Sequence, residues 1–319
     1  MSGAPAIQMD DLSKSYGRGS KSVPAVKHLN LDVETGQVFG FLGPNGAGKT
    51  TTVRMLMDLI RPNGGIAKIY GRNVRAPGTL KRVGALVEGP AFYGYLSGQN
   101  NLEVLARTAN DYRPERIQML LEQVGLGARA RQPVSSYSLG MKQRLGIAAA
   151  LIGDPDLVIL DEPTNGLDPA GIQEMRGFIR NLAGDYGKTV FISSHLLNEV
   201  EQTCDRVAII HKGEMIREGT VAGLLEDGSS KLRVQVSPIE KAEDVLKERW
   251  KVSRESLPLE ADAWLIIHVP SQDSPEVVEF LVAHGIQVHQ VVARRQTLEE
   301  YFLAATRENG MDDPEVKHD

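Results

Sequence analysis

Residues 43–51, with the sequence GPNGAGKTT, constrain the possible folds of this chain more than any other stretch. They match the pattern G-x-x-x-x-G-K-[ST] of a phosphate-binding loop. The apolar residues 38–42 before the loop predict a buried strand, and the apolar residues of segment 53–60 after it repeat at the spacing of one helix face. Because a strand, a glycine loop and a helix follow in this order, the sequence predicts a phosphate site at the loop.

The residue types of this loop explain how it would hold phosphate groups. Its glycines let the backbone approach a ligand closely, so that successive N–H groups and the following helix N-terminus point at the anion. Lys49 can reach the β- and γ-phosphates, Thr50 can bind Mg²⁺, and Thr51 can hold an α-phosphate oxygen. The alternative is an ordinary glycine-rich turn, which the flanking strand and helix disfavour. The predicted nucleotide contacts are Gly43, Pro44, Asn45, Gly46, Ala47, Gly48, Lys49, Thr50 and Thr51.

The bulk composition limits the remaining function classes. A length of 319 residues predicts about two domains, and a net charge of −5 without a dense Lys/Arg stretch argues against nucleic acid as the main partner. The single cysteine, Cys204, cannot form an internal disulfide and suits a reducing cytosol. We expect no spanning helix, because no apolar run approaches the roughly 20 residues that a span needs. We expect no signal peptide, because residues 1–6 contain neither a basic region nor an apolar core.

The pattern of apolar runs predicts an α/β domain at residues 1–226. Runs at 157–160, 189–192 and 206–210 are separated by helical segments, which is typical of parallel strands buried on both faces. Segment 88–153 shows helical spacing instead and predicts a helical subdomain.

A polar Asp-Gly-Ser-Ser stretch at 227–230 predicts a domain boundary. Residues 231–306 alternate between strand and helix patterns, which resembles a small α+β split-βαβ sandwich. We expect this domain to serve packing, although regulation and dimerisation stay open. Its histidines show no metal-ligand spacing, and the polar residues 307–319 predict a disordered tail.

Further candidate residues lie where predicted strands end or helices begin. Asp161 and Glu162 follow a buried strand, where ligands bind in open α/β sheets, so Asp161 can hold Mg²⁺ and its water while Glu162 polarises an attacking water. The alternative is a charged turn. Ser138 and Gly140 begin a helix and can bind an anion, although the spacing alone favours a helix cap. By itself, His195 is more often a structural histidine.

Taken together and in this order, these motifs over residues 7–220 resemble an ABC-transporter ATP-binding subunit. The resemblance implies the P-loop NTPase fold of an ABC ATPase domain, with ATP and Mg²⁺ as ligands. It also implies a head-to-tail dimer in which ATP lies between the loop of one subunit and the signature motif of the other. For nucleotide binding, the resemblance implies adenine stacking at Tyr16, the Walker A motif at 43–51 and the D-loop at 165–168 with Asp168 at the nucleotide. It places the signature motif at 137–141, with Ser138 and Gly140 on the γ-phosphate of the partner's ATP. For hydrolysis, it implies the Walker B motif at 157–161, the catalytic glutamate at Glu162 and the switch histidine at His195.

Two departures from this family pattern stand out. The usual signature is Leu-Ser-Gly-Gly-Gln, whereas this chain has Tyr137, Leu139 and Met141 in place of the leucine, the first glycine and the glutamine. Glu88 stands where the family has its Q-loop glutamine, and we expect it to contact Mg²⁺ or its water and to take part in catalysis. This loop and segment 297–302 resemble the bacitracin/lantibiotic-type branch of multidrug exporters.

The resemblance therefore predicts an ATPase subunit that drives export of a drug or peptide antibiotic, and thereby antibiotic resistance. It implies a separate transmembrane permease, a homodimer or a heterodimer with a second ATPase, no direct nucleic acid, and a cytoplasmic, peripheral location on the inner face of the membrane. One alternative is a soluble ABC-type ATPase acting on a protein or nucleic-acid assembly; the two cassettes or long coiled coils usual there are not seen. Another is a nucleotide-binding regulatory module without turnover, against which Glu162 and His195 argue.

Overall fold

The computed structural model describes residues 4–89, 91–227, 231–255, 264–269, 273–294 and 297–308. Contacts divide the chain into two compact units, unit 1 (Met1–Thr220) and unit 2 (Val221–Asp319). The sequence prediction had assigned residues 221–226 to the first domain, whereas these contacts assign them to unit 2.

Unit 1 is an α/β unit with two sheets and a group of helices. Its strands are β1 (Ile7–Tyr16), β2 (Val23–Val33), β3 (Val38–Leu42), β4 (Gly64–Ile69), β5 (Arg72–Asn73), β6 (Val83–Leu86), β7 (Leu157–Asp161), β8 (Thr189–Ser194), β9 (Arg206–His211) and β10 (Glu214–Thr220). Its helices are α1 (Lys49–Leu56), α2 (Gly98–Thr108), α3 (Pro114–Gln123), α4 (Leu139–Ala150), α5 (Pro169–Gly184) and α6 (Leu197–Thr203).

The larger sheet has the strand order β10-β9-β3-β8-β7-β6 and determines where a ligand can bind. Pairs β3–β8, β3–β9, β7–β8 and β6–β7 are parallel, and only the β9–β10 pair is antiparallel. Every residue of β3, β7 and β8 is buried, which confirms the prediction from their apolar runs. Because these strands are parallel, the phosphate loop, Asp161 and Ser194 all lie at the same edge of the sheet.

The core under this sheet edge is aromatic and tightly packed. The Phe191 ring stacks on Phe39 at a centroid distance of 5.9 Å and lies 5.5 Å from Phe41. All three side chains are fully buried. Burial of such rings contributes about 2–3 kcal/mol each, which holds β3 and β8 in fixed register beneath the site.

The second sheet of unit 1 is antiparallel, with the order β2-β1-β4-β5. Helices α2, α3 and α4 fall within the predicted helical subdomain and pack on one another. Ser97 caps α2 by accepting a hydrogen bond from the Asn100 N–H at 3.1 Å, and Pro114 begins α3.

One predicted helix is shorter than expected. The apolar spacing after the loop extended to Ile60, whereas α1 ends at Leu56. Asp58 adopts a left-handed φ of 51°, which an α-helix cannot continue through, so Ile60 lies beyond the helix.

Unit 2 has the element order β-α-β-β-α-β of a split-βαβ fold between two flanking helices. Its elements are α7 (Val221–Asp227), β11 (Lys231–Ser237), α8 (Ile239–Lys247), β12 (Lys251–Glu255), β13 (Trp264–His268), α9 (Ser274–Ala283), β14 (Gln287–Arg294) and α10 (Leu298–Glu308). The sheet is antiparallel throughout, in the order β12-β13-β11-β14. Alternate residues of β11 face a core that includes Leu246 of α8 and Leu281 of α9.

The end of unit 2 differs in part from the predicted tail. The predicted tail begins at residue 307, whereas α10 continues to Glu308; the rest of that prediction, residues 309–319, lies outside the described residues. Within the described ranges, no helix combines the length and the apolar character that crossing a membrane demands.

Candidate functional site

A cavity of about 360 Å³ lies at the carboxyl ends of β3, β7 and β8. We call it the Lys49 cavity. It brings together four segments that are far apart in the sequence, as expected where parallel strands end. Its lining consists of Ala25, Asn45, Gly46, Gly48, Lys49, Thr50, Thr51, Glu162, Asn165 and His195.

The backbone of the loop requires glycine at Gly48. Its φ is +108°, and a Cβ there would lie 2.3 Å from the Ala25 carbonyl oxygen. Glycine therefore permits both the conformation and the close approach of β2. Helix α1 begins at the next residue, so its unpaired N–H groups lie at the loop, an arrangement that binds anions.

Lys49 is a buried cation inside this cavity, with only 5% of its surface exposed. Its Nζ donates hydrogen bonds to the Gly43 and Pro44 carbonyl oxygens at 2.7 and 3.2 Å. It also lies 3.2 Å from Oε1 of Glu162. The loop carbonyls hold the ammonium group in place. The Glu162 carboxylate contacts the ammonium group where an anionic ligand can replace it as the partner of Lys49.

Glu162 connects Lys49 to His195. Its Oε2 lies 2.8 Å from Nδ1 of His195, and because an ionised carboxylate only accepts, Nδ1 carries the hydrogen of this contact. Glu162 also has a left-handed φ of 50°. Such a conformation costs on the order of 1–3 kcal/mol in a non-glycine residue and is common at functional sites.

Asp161 and Thr50 place oxygen atoms side by side. Thr50 Oγ1 lies 3.5 Å from Oδ1 of the buried Asp161. Hydroxyl and carboxylate oxygens are the ligands that Mg²⁺ prefers, and this ion commonly takes only one or two protein ligands beside water and phosphate. The residues present therefore fit Mg²⁺. Among the described residues no group of three or more His, Cys, Asp and Glu side chains could hold a metal by itself.

The predicted signature residues lie at a second cavity of about 420 Å³. We call it the signature cavity; its lining includes Ser138, Leu139, Gly140, Arg144, Gly166, Leu167 and Asp168. Ser138 Oγ accepts a hydrogen bond from the Met141 N–H at 3.3 Å and caps α4, as the spacing favoured. Asp168 likewise caps α5 by accepting from the Gly171 N–H at 3.0 Å.

The unusual Leu139 packs against the D-loop of its own chain. A Cβ on Gly166, whose φ is +75°, would lie 2.7 Å from the Leu139 side chain. The leucine in the predicted signature thus fits a glycine in the predicted D-loop, while about half of the leucine surface remains exposed. Tyr137 is buried instead: its hydroxyl donates to the Arg129 carbonyl at 2.7 Å, and burial raises the pKa of Tyr137.

Glu88 and Tyr16 are predicted site residues that line neither cavity. Glu88, with a left-handed φ of 64°, forms an ion pair with Arg54 of α1 at a partly exposed position. Tyr16 ends β1, is 43% exposed and lies 5.5 Å from the Lys14 ammonium group.

Ser193 is a site residue that no sequence motif identifies. This fully buried residue of β8 donates a hydrogen bond from its hydroxyl to Asp161 and accepts one from the Glu162 N–H. The only signal in the sequence was its position two residues before His195, at the end of an apolar run.

Comparisons with known proteins agree with this geometry. The sequence model of the family described as "ABC transporter" matches residues 26–165. The bacitracin transport ATP-binding protein BcrA of Bacillus licheniformis is 40% identical over 299 residues, which cover 93% of this chain and 96% of the relative. The lantibiotic transport ATP-binding protein SrtF of Streptococcus pyogenes is 41% identical over 212 residues, or 66% of this chain and 90% of the relative.

Among solved structures, cbiO1 of Clostridium perfringens, described as part of the ABC transporter complex cbiONQ, has a TM-score of 0.62 at 25% identity. The match covers 69% of this chain and 90% of that one. Together with the loop, the carboxylates and the histidine at one cavity, the identity over nearly the whole length of a relative shows the family. This chain belongs to the ATP-binding proteins of the ABC transporter family, and it is an ATPase that couples hydrolysis to transport.

Proposed function

We propose that the Lys49 cavity is the site of ATP hydrolysis and that its residues have the following roles. Loop residues 43–51 hold the phosphates, and Lys49 offsets their β- and γ-charges. Glu162 accepts a proton from the attacking water, and His195 keeps the Glu162 carboxylate in position. The observation that carries this proposal is that Glu162 lies 3.2 Å from the Lys49 ammonium group and 2.8 Å from Nδ1 of His195.

Glu162 bridges Lys49 and His195. A γ-phosphate that pairs with Lys49 displaces Oε1 of Glu162, while the contact of Oε2 with His195 can persist. Binding thus frees the carboxylate for the water and leaves it oriented by the histidine. Thr50 and Asp161 would hold Mg²⁺, which supplies charge neutralisation at the phosphates when bound.

We assign the remaining site residues to a composite site formed by two copies. The N-terminus of α4, with Ser138 and Gly140, offers a hydroxyl and a backbone N–H to the ATP of a partner subunit. Asp168 approaches the same nucleotide from the D-loop, Tyr16 stacks on its adenine, and Glu88 approaches the metal or its water when the dimer closes. These roles extend the family resemblance to matching positions.

We propose further that the transport is export of a drug or peptide antibiotic, through a separate permease that places this chain at the inner face of the membrane. Two relatives are named for bacitracin and lantibiotic transport, and both extend over most of their own length in the match. The solved relative described as part of a transporter complex supports a multi-subunit assembly.

Co-expression with each candidate permease tests this proposal. The wild-type chain should fractionate with membranes only when its permease is present, and cells should then resist bacitracin or a lantibiotic. Glu162→Gln serves as the control, because it should reach the membrane equally well and confer no resistance. Equal membrane association in cells lacking every candidate permease would contradict the proposed assembly.

A further inference from the structure

One hydroxyl group holds two consecutive site residues. Ser193 lies on β8 directly opposite Asp161 of β7 in the parallel register, and it is fully buried. Its Oγ donates a hydrogen bond to Oδ1 of Asp161 and accepts one from the Glu162 N–H at 3.1 Å. The same N–H also lies 3.1 Å from the Ser193 carbonyl oxygen.

The chemistry of the serine hydroxyl and of the carboxylate fixes the direction of these hydrogen bonds. A serine hydroxyl has one hydrogen to donate and two lone pairs. An ionised carboxylate can only accept, so the hydrogen goes to Asp161 and a lone pair faces the Glu162 N–H. Rotating the hydroxyl away from Asp161 would therefore break a charge-assisted hydrogen bond inside a buried site.

Thr50 restrains Asp161 less than Ser193 does, and the backbone of Glu162 has a conformation that needs support from its neighbours. Thr50 Oγ1 is 3.5 Å from the same Asp161 oxygen, which is longer than an ordinary O–H···O hydrogen bond. The Glu162 backbone has a left-handed φ of 50°, which persists only when surrounding contacts enforce it. Ser193 supplies such contacts from the neighbouring strand.

We propose that Ser193 is a positioning residue that sets the metal-binding orientation of Asp161 and the backbone of Glu162 together. The inference rests on the proposed roles of Asp161 and Glu162. Ser193 acts on ATP only through them, so its loss should change the response to Mg²⁺ and the turnover rate, and leave binding of metal-free nucleotide intact.

Ser194 provides a matched control. It is the next residue of the same strand, is also buried, and its hydroxyl accepts a hydrogen bond from the Leu196 N–H at 3.0 Å. Replacing either serine by alanine removes one buried hydroxyl and its hydrogen bonding. Only the Ser193 hydroxyl touches Asp161 and Glu162.

The experiment measures ATP affinity by calorimetry with Mg²⁺ and with EDTA, together with the turnover rate and the thermal unfolding of each variant. Ser193→Ala should reduce the Mg²⁺-dependent gain in affinity and the turnover rate by about 10- to 100-fold, the range of a hydrogen bond to a charged group. Affinity in EDTA should stay within about 2-fold. Ser193→Thr keeps the hydroxyl and should restore most of the Mg²⁺ response.

Two results would overturn the inference. The first is a Ser193→Ala protein with the wild-type Mg²⁺ response and turnover. The second is an equal loss in Ser194→Ala, which would show that any missing hydroxyl in this strand has the same effect. Asp161→Asn distinguishes failure of the Ser193 inference from failure of the proposed metal site. If Asp161→Asn also leaves the Mg²⁺ response unchanged, the assignment of Asp161 is wrong.

Discussion

The Lys49 cavity and the signature cavity belong to the same unit and use their polar side chains differently. In the Lys49 cavity, the charged groups of Lys49, Glu162 and His195 pair with one another across the cavity. In the signature cavity, the side chains of Ser138 and Asp168 cap the helices of their own chain. The first cavity thus has a buried cation that a phosphate can pair with, whereas the second offers backbone N–H groups at a helix N-terminus beside the more exposed Arg144–Glu174 ion pair. We infer that a single chain binds nucleotide at the Lys49 cavity, and that the signature cavity contributes only across a dimer.

Of the changes that test this difference between the two cavities, removal of the Lys49 cation should have the largest effect on nucleotide binding. Lys49→Ala leaves Glu162 without its cationic partner in a buried site and removes the charge that meets the phosphates. We expect ATP affinity to fall about 100-fold, the upper end for a lost hydrogen bond to a charged group, and hydrolysis to become undetectable. Calorimetry on the isolated chain checks this, with Lys81→Ala as a control that changes an exposed lysine away from the cavity. Unchanged affinity in Lys49→Ala would place the nucleotide elsewhere.

Glu88 and Arg54 provide a second test of the comparison, because Glu88 lines neither cavity and pairs with Arg54. If Glu88 moves to the metal in the closed dimer, Glu88→Ala should lower turnover about 100-fold, within the range for proton-transfer groups. Glu88→Gln should keep ATP binding and much of the turnover, with an altered Mg²⁺ dependence.

Arg54→Ala is the control for these variants, because it removes the ion pair and leaves Glu88 in place. It breaks only a partly exposed ion pair, typically worth about 0–1 kcal/mol, so turnover should change less than about 5-fold. Turnover assays with the permease present compare the variants. Equal losses in Glu88→Ala and Arg54→Ala would show that the ion pair, and not a contact with the metal, is what matters.

The features that could be predicted from the sequence are those that short segments determine. The loop requires glycine locally, as the φ of Gly48 shows, and the strands around it are continuous apolar runs. The ends of parallel strands then bring Asp161, Glu162 and His195 to the loop by topology alone.

Other features depend on contacts between segments that are distant in the sequence. Arg54 and Glu88 are 34 residues apart, and Ser193 reaches Asp161 through the register of two strands 32 residues apart. No apolar run in the sequence marks the edge strand β12, because most of its residues are polar and its core face is only partly buried. The leucine in the signature could be seen in the sequence, whereas its fit to Gly166 required the structure.

The central claim is that two copies complete the site, with the Lys49 cavity of one chain and the signature cavity of the other enclosing ATP. Glu162→Gln tests it most directly, because this variant keeps the phosphate contacts and removes the carboxylate that would accept a proton from water. Light scattering at saturating Mg-ATP should give a mass twice that of the chain. Adding Gly140→Asp, which places a negative charge at the signature cavity, should return the mass to that of one chain while calorimetry shows the same ATP affinity. A Glu162→Gln protein that stays monomeric, or a dimer that Gly140→Asp does not disturb, would contradict the account.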